Sequence, residues 1–183
     1  MKVLGISGSL RRGSHNTKLL RAAAELLPPG MELVLYADLK SIPPYDEDDD
    51  VGVGPSAVAD LRAALAAADA VLIATPEYNG SVPGALKNAL DWVSRPFATN
   101  ALRGKPAAVI GASTSLFGAV WAQAELRKVL TTIGATVVDR ELPVASAADQ
   151  FGAHGELLDD ELRAALATIV EELVAAVAVA VAA

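Results

Sequence analysis

Three short stretches hold the residues able to grip a charged or polar ligand. The first, Gly8-Ser9-Leu10-Arg11-Arg12-Gly13-Ser14-His15-Asn16-Thr17, gathers the hydroxyls of Ser9, Ser14 and Thr17, the Asn16 amide and the Arg11 guanidinium. If a helix starts inside it, the unpaired N–H groups of the first turn and the helix dipole favour an anion there. Hydrogen bonds to an ionised group contribute roughly 1.5–3 kcal/mol each, so the set suits a phosphate dianion. An ordinary polar turn with Ser14 or Asn16 as N-cap would use some of the same residues. Gly8 and Gly13 have the spacing of a nucleoside-triphosphate loop, but Ser14 and His15 stand where that loop needs Lys and then Ser or Thr. Gly5, Gly8 and Gly13 also miss the spacing of the dinucleotide fingerprint. A monophosphate remains.

The second stretch is Thr75-Pro76-Glu77-Tyr78-Asn79-Gly80-Ser81. Pro76 stiffens it, Asn79-Gly80 readily takes positive φ, and Tyr78 offers a flat face, a setting that suits the edge and face of a planar heterocycle. The third, Gly111-Ala112-Ser113-Thr114-Ser115, combines small residues with three hydroxyls and allows a ring close to backbone. Elsewhere the chemistry is thin. There is no Cys and there are two His, which leaves no thiolate nucleophile and no His-rich metal site. The acidic run Asp46–Asp50 reads as a solvated loop, His15 as a possible donor within the first stretch, and His154 as structural. Asp91 is placed to accept from Arg95 one helical turn on. No residue is assigned a catalytic role, and no metal is expected.

The elements that must present these stretches follow from the apolar pattern. Apolar runs predict strands at Lys2–Ser7, Glu32–Tyr36, Ala70–Ala74 and Pro106–Gly111, with a fifth starting at Thr136–Val138. Helical periods lie between them. One runs from Thr17, with Leu19, Leu20, Ala23, Leu26 and Leu27 on one face, to the stop at Pro28-Pro29-Gly30. A second is capped by Ser56 and a third by Ser81, with Pro83 in its first turn. A fourth ends at Gly134, and a fifth starts near Asp159-Asp160-Glu161. Alternating near-continuous apolar strands and helices imply an α/β fold: one doubly wound parallel sheet of five strands with helices on both faces. Such sheets bind ligands beyond the carboxyl ends of their strands, where all three stretches lie.

The 183 residues suit one domain. Fifteen Lys and Arg against 22 Asp and Glu leave a net charge of −7, which argues against a nucleic-acid partner. The N-terminus carries no long apolar stretch, and the C-terminal LVAAVAVAVAA, at eleven residues, is too short to span a bilayer. The expectation is a cytoplasmic protein whose Ala/Val tail packs on a partner subunit or frays.

The residues Gly8 to Asn16 (G-S-L-R-x-x-S-x-N) and Thr75 to Trp92 (T-P-E-Y-N-G-S-V-P-G-A-L-K-N-A-L-D-W) resemble the NADPH-dependent FMN reductase family of flavodoxin-like quinone, chromate and azo-dye reductases. Ile42-Pro43 to Asp48 and His154-Gly155-Glu156-Leu157 add to the likeness, which covers most of residues 2–160. The resemblance implies a single flavodoxin-like FMN-binding domain over 1–183. It places the phosphate at Ser9, Arg11, Ser14, Asn16 and Thr17, the ring along Pro76, Glu77, Tyr78, Asn79 and Gly80, and Ser113 on the far side. It further implies hydride transfer from NADPH (or NADH) to FMN and on to a quinone, free flavin or other small oxidant, in a homodimer or homotetramer. Arg95, Arg103 and Lys105 are then candidates for the 2′-phosphate of NADPH. A flavodoxin-type electron carrier is the alternative. Ser115–Gln123 departs from the family's Gly-rich pattern, with Trp121 in place of an Arg.

Overall fold

The computed structural model describes residues 1–182. The chain runs β1 (Lys2–Ser7), α1 (His15–Glu25), β2 (Glu32–Tyr36), α2 (Ser56–Ala66), β3 (Ala70–Thr75), α3 (Gly84–Val93), β4 (Pro106–Ala112), α4 (Val120–Ile133), β5 (Thr136–Val137), β6 (Pro143–Val144) and α5 (Asp160–Ala182). All strand pairs are parallel, in the order β2-β1-β3-β4-β5, with β6 also on β4. This is the flavodoxin-like α/β arrangement that the sequence implied. The chain passes from β1 to β2 on one side and returns to β3 on the other. The loops after β1 and β3 therefore stand side by side at the switch point.

Strand side chains alternate between two cores. Leu4, Ile6, Val71, Ile73 and Val109 join Leu61, Leu65, Leu86, Leu90, Leu126 and Leu130 from α2, α3 and α4. Val3, Leu72, Ala108 and Ile110 join Leu19 and Leu20 of α1 and Leu166, Ile169 and Leu173 of α5 on the opposite face. With both faces covered, β3 and β4 are buried along their whole length, which is why they read as apolar runs rather than alternating ones.

Several local expectations are corrected. α1 starts at His15, two residues before Thr17, because Ser14 supplies the cap. Ser56 is the first helical residue of α2, with Pro55 at the cap position, and Pro83 rather than Ser81 precedes α3. In both, the preset φ of proline starts the turn without a side-chain cap. The fifth strand holds two ladder pairs, leaves β4, and returns as β6 at Gly111↔Pro143 and Ala112↔Val144. Asp91 pairs with Lys87 at 2.7 Å instead of Arg95, which lies beyond the Ser94 cap where helical geometry ends. In the acidic run, Asp50 takes the Arg62 guanidinium at 2.9 Å and Asp46 closes its own turn on Asp48 N–H.

The C-terminal stretch continues α5, burying Leu173 and Val177 while Val179 is 71% exposed; the packing of 181–183 lies outside the described residues. No described helix is long and apolar enough to cross a membrane.

Candidate functional site

The loop after β1 is stitched to both of its neighbours. Gly8 N–H donates to Ala74 O at 2.8 Å, and a Cβ there would stand 2.9 Å from Leu86 Cδ2 and 3.2 Å from Pro76 Cδ, so glycine lets the first loop lie against the second. Asn16, 2% exposed, donates from Nδ2 to Ala112 O and accepts Ala112 N–H at Oδ1, both at 2.9 Å. Its side chain mimics a strand neighbour and locks the start of α1 to the end of β4. Ser14, also 2% exposed, caps α1 by accepting Thr17 N–H at 3.1 Å, with its Oγ 3.5 Å from Ser7 Oγ.

What remains open on this loop is its main chain. Among the described residues, the N–H groups of Leu10 through Asn16 have no intramolecular acceptor. They lie at and just before the positive end of α1. Arg11 makes no ion pair with a described residue. A row of unpaired donors, a free guanidinium and a helix start form an anion cradle.

The loop after β3 leads from Pro76 and Glu77 into a two-residue hairpin. Tyr78 and Ser81 exchange main-chain bonds at 3.2 Å across Asn79 (φ 55°) and Gly80 (φ 74°). Positive φ at both central positions makes this the tight type I′ turn that Asn-Gly favours. Two carboxylates fasten the hairpin to α4. Glu77 Oε2 accepts Trp121 N–H at 3.0 Å and Ala122 N–H at 3.1 Å, capping a helix whose own cap residue, Ala119, has nothing to offer. Glu125 Oε2 in return accepts the Ser81 hydroxyl at 2.7 Å and Val82 N–H at 3.1 Å, and these bonds hold its carboxyl below the ordinary value.

The loop after β4 is shaped by Gln123, fully buried, which donates to Gly118 O at 3.1 Å and accepts Leu142 N–H at 3.0 Å. Gly118 (φ 58°) lies so close to Pro143 that a Cβ would stand 2.4 Å from its carbonyl carbon. Ser113 and Ser115 hydroxyls bond each other at 3.0 Å.

All three loops line one open cleft of about 420 Å³. Of the sequence-derived site residues, Ser9, Arg11, Asn16, Pro76, Glu77, Tyr78 and Ser113 line it. Ser14 lies beneath as the cap, Thr17 faces a second cleft on the outer side of the first loop, and Asn79 and Gly80 form the hairpin tip away from the cavity. His15 lines the cleft too, stacked on Phe151 at 5.7 Å with its Nδ1 buried and unpartnered. Burial first, then the charges of Arg11 and Lys18, lower its pKa, so the ring is neutral at pH 7. Tyr78, which lines the cleft, is exposed, as are Leu116 and Phe117, which follow Ser115 in the chain, and Trp121, whose ring centroid is 4.9 Å from that of Phe117.

Arg95, Arg103 and Lys105 stand at the opposite end of the strands, beyond the amino-terminal end of β4. Lys105 immediately precedes β4 and donates to Ala68 O, burial lowering its pKa. Arg103 donates to Phe97 O at 2.8 Å and lies over that ring at 5.2 Å. Arg95 follows the C-terminal end of α3. The length of β4, about 20 Å at roughly 3.3 Å per residue, separates this end from the cleft. Roles missed from the sequence are those of Glu125 and Gln123. The available signal for the latter was an amide on the apolar period of α4.

With a family model described as NADPH-dependent FMN reductase, residues 1–149 match. The chain is 49% identical over 164 residues to an NAD(P)H-dependent FMN reductase of Pseudomonas aeruginosa, covering 89% of this chain and 88% of that one. To a 2-hydroxy-1,4-benzoquinone reductase of a Burkholderia species it is 35% identical over 176 residues, 96% of this chain and 95% of that one. Among solved structures, the flavoenzyme NAD(P)H:(acceptor) oxidoreductase FerB of Paracoccus denitrificans superposes with a TM-score of 0.83 at 36% identity over 97% of both chains. A parallel sheet in flavodoxin order, an anion cradle after β1 and relatives matched over nearly their full length converge: the chain belongs to the NADPH-dependent FMN reductase family.

Proposed function

We propose that the cleft between the three loops binds FMN and that the chain is an NAD(P)H-dependent oxidoreductase reducing quinones or comparable small oxidants. The observation that carries it is the meeting, in one cleft, of an anion cradle at a helix start with two loops able to flank a flat ring. The residues fit the cofactor. Ser9, Arg11 and the open N–H groups of the first loop would hold the phosphate. Pro76, Glu77 and Tyr78 would flank one side of the ring and Ser113 the other, while the Asn79-Gly80 turn holds Tyr78 in place from outside the cleft. Ser14 and Asn16 hold the cradle in shape. Bound there, FMN would supply the redox chemistry, a relay of hydride equivalents from reduced nicotinamide to the oxidant.

The chain's own part is placement and polarity. Glu77 engages the start of α4, so its charge is compensated beside the cleft rather than repelling an electron-rich ring. Neutral His15 adds no fixed charge. On the open side the exposed ring of Tyr78 would give an uncharged aromatic face for a flat acceptor. An electron carrier that docks to redox proteins would surround its ring with free acid, and the one carboxylate lining this cleft is already bonded. We extend the reading to a cytoplasmic enzyme, one FMN-binding domain over 1–183, assembled as a homodimer or homotetramer through apolar surface such as Leu116 and Phe117.

The test is a steady-state assay. FMN-loaded protein is expected to oxidise NADPH with a benzoquinone present, and the flavin-free protein is not. NADPH left unconsumed by fully loaded protein refutes the enzyme reading.

A further inference from the structure

On the outer side of the first loop lies a second cleft, of about 340 Å³. It shares Ser9 and Arg11 with the flavin cleft, so the two cavities are neighbours separated by a single turn of chain. Three cations line it: Arg11, Arg21 on the exposed face of α1, and Lys40 in the helical turn Leu39–Ser41 after β2. None of the three pairs with a carboxylate among the described residues. In a chain of net charge −7, three unpaired cations around one concavity are a local reversal of sign. Tyr36 and Leu39 add apolar wall, and Thr17 a hydroxyl.

We propose that this second cleft binds the phosphorylated adenosine end of a dinucleotide. The inference rests on the flavin reading for its biological sense, because a reduced dinucleotide must bring its nicotinamide to the first cleft. Its distal phosphate then needs cations at the same end of the strands. Arg95, Arg103 and Lys105 are excluded by lying at the opposite end. Arg21 and Lys40 stand at the right end, next to the cleft where the nicotinamide reacts. The volume falls in the range of small-ligand sites, about 300–1,000 Å³, and suits a nucleotide rather than a whole dinucleotide. The wall chemistry divides the ligand. The Tyr36 hydroxyl donates to Ala57 O at 3.4 Å, and Asp38 and Asp60 act on the same phenol, so that corner is unfavourable to phosphate. With Arg11 given to the FMN phosphate, the anion belongs between Arg21 and Lys40, and the base on the Tyr36 and Leu39 side. Three dinucleotides carry such an end, NADPH with a 2′-phosphate and NADH and FAD without one, and the ligands chosen separate them.

The experiment titrates FMN-loaded protein with adenosine 2′,5′-bisphosphate by calorimetry and repeats it with 5′-AMP, while the visible flavin spectrum reports loading in the same sample. Saturable binding of one nucleotide per chain is expected, weakened about tenfold or more in the double variant Arg21→Ala/Lys40→Ala. Neither position lines the flavin cleft, so the variant keeps its FMN. A bisphosphate bound at least about tenfold more tightly than 5′-AMP assigns the cleft to the NADPH tail. Equal binding of the two assigns it to the FAD tail where wild type, but not the variant, retains FAD better than FMN, and to the NADH tail where it does not. No saturable binding to loaded protein, or binding indifferent to both substitutions, overturns the proposal. Failure of the flavin reading shows separately, as a protein that takes up no FMN.

Discussion

Replacing Arg11 by Ala removes the one side-chain cation of the proposed phosphate site. Its guanidinium has no carboxylate partner among the described residues, so the substitution leaves no orphaned acid behind and the fold is expected to be unaffected. A charge-assisted bond to phosphate contributes about 1.5–3 kcal/mol. Arg11 is exposed, and solvent screening places the loss in the lower half of that range. At roughly 1.4 kcal/mol per factor of ten, the FMN Kd should rise about 10- to 50-fold. Flavin fluorescence quenching, titrated into flavin-free protein, measures it. Riboflavin, which has the ring without the phosphate, supplies the control: its weaker affinity should be the same in wild type and variant. Arg11→Lys keeps a point charge without the fork and should fall between the two. An FMN affinity within about a factor of two of wild type, or a riboflavin affinity that drops in step with it, would refute the assignment of the phosphate to this loop.

Asn16→Ala leaves Ala112 N–H and C=O unpaired in a buried place, and should cost about 2–4 kcal/mol in urea unfolding while also weakening FMN, because the first and third loops part. Gly118→Ala combines a left-handed φ with a Cβ 2.4 Å from the Pro143 carbonyl carbon, and should lower Tm by at least about 5 °C; an unshifted Tm contradicts the close approach. His15 has a folded pKa below its ordinary 6.5, so the unfolded chain takes up the proton first on acidification. Stability therefore falls as pH drops below about 6.5, and in His15→Phe, which keeps a ring against Phe151, that part of the Tm loss between pH 7.5 and 5.5 should vanish.

The parts of the fold legible in the sequence are those set by local pattern. β1 and β2 have the expected bounds, Lys2–Ser7 and Glu32–Tyr36; β1 is a buried apolar run ended at a Gly/Ser cluster, and β2, the half-exposed edge strand, is a short run of strand-forming residues. The Gly134 stop is a left-handed cap at φ 105°, which glycine alone adopts without cost. Interactions that join distant residues were not legible. Nothing near Ser81 announces that its hydroxyl belongs to Glu125, 44 positions on, and nothing near Asn16 points to Ala112, 96 positions away. The break between β5 and β6 depends on Gln123, a side chain from another element. In the site, the three loops are grouped from the sequence because parallel strands bring their carboxyl ends to one end of the sheet. The hydroxyls within them were not separated into ligand-facing and cap-forming, since that division rests on where each α1 residue falls in its first turn. The far-end position of Lys105 could have been read, because it directly precedes a strand.

The measurement that bears most directly on the central claim is a crystal structure of the protein with FMN. The expected result places the phosphate within hydrogen-bonding distance of Ser9, Arg11 and the main-chain N–H groups at the start of α1, with the ring between Tyr78 and Ser113. A flavin bound anywhere other than the cleft between the three loops, or bound there with its phosphate directed away from Arg11, would contradict it.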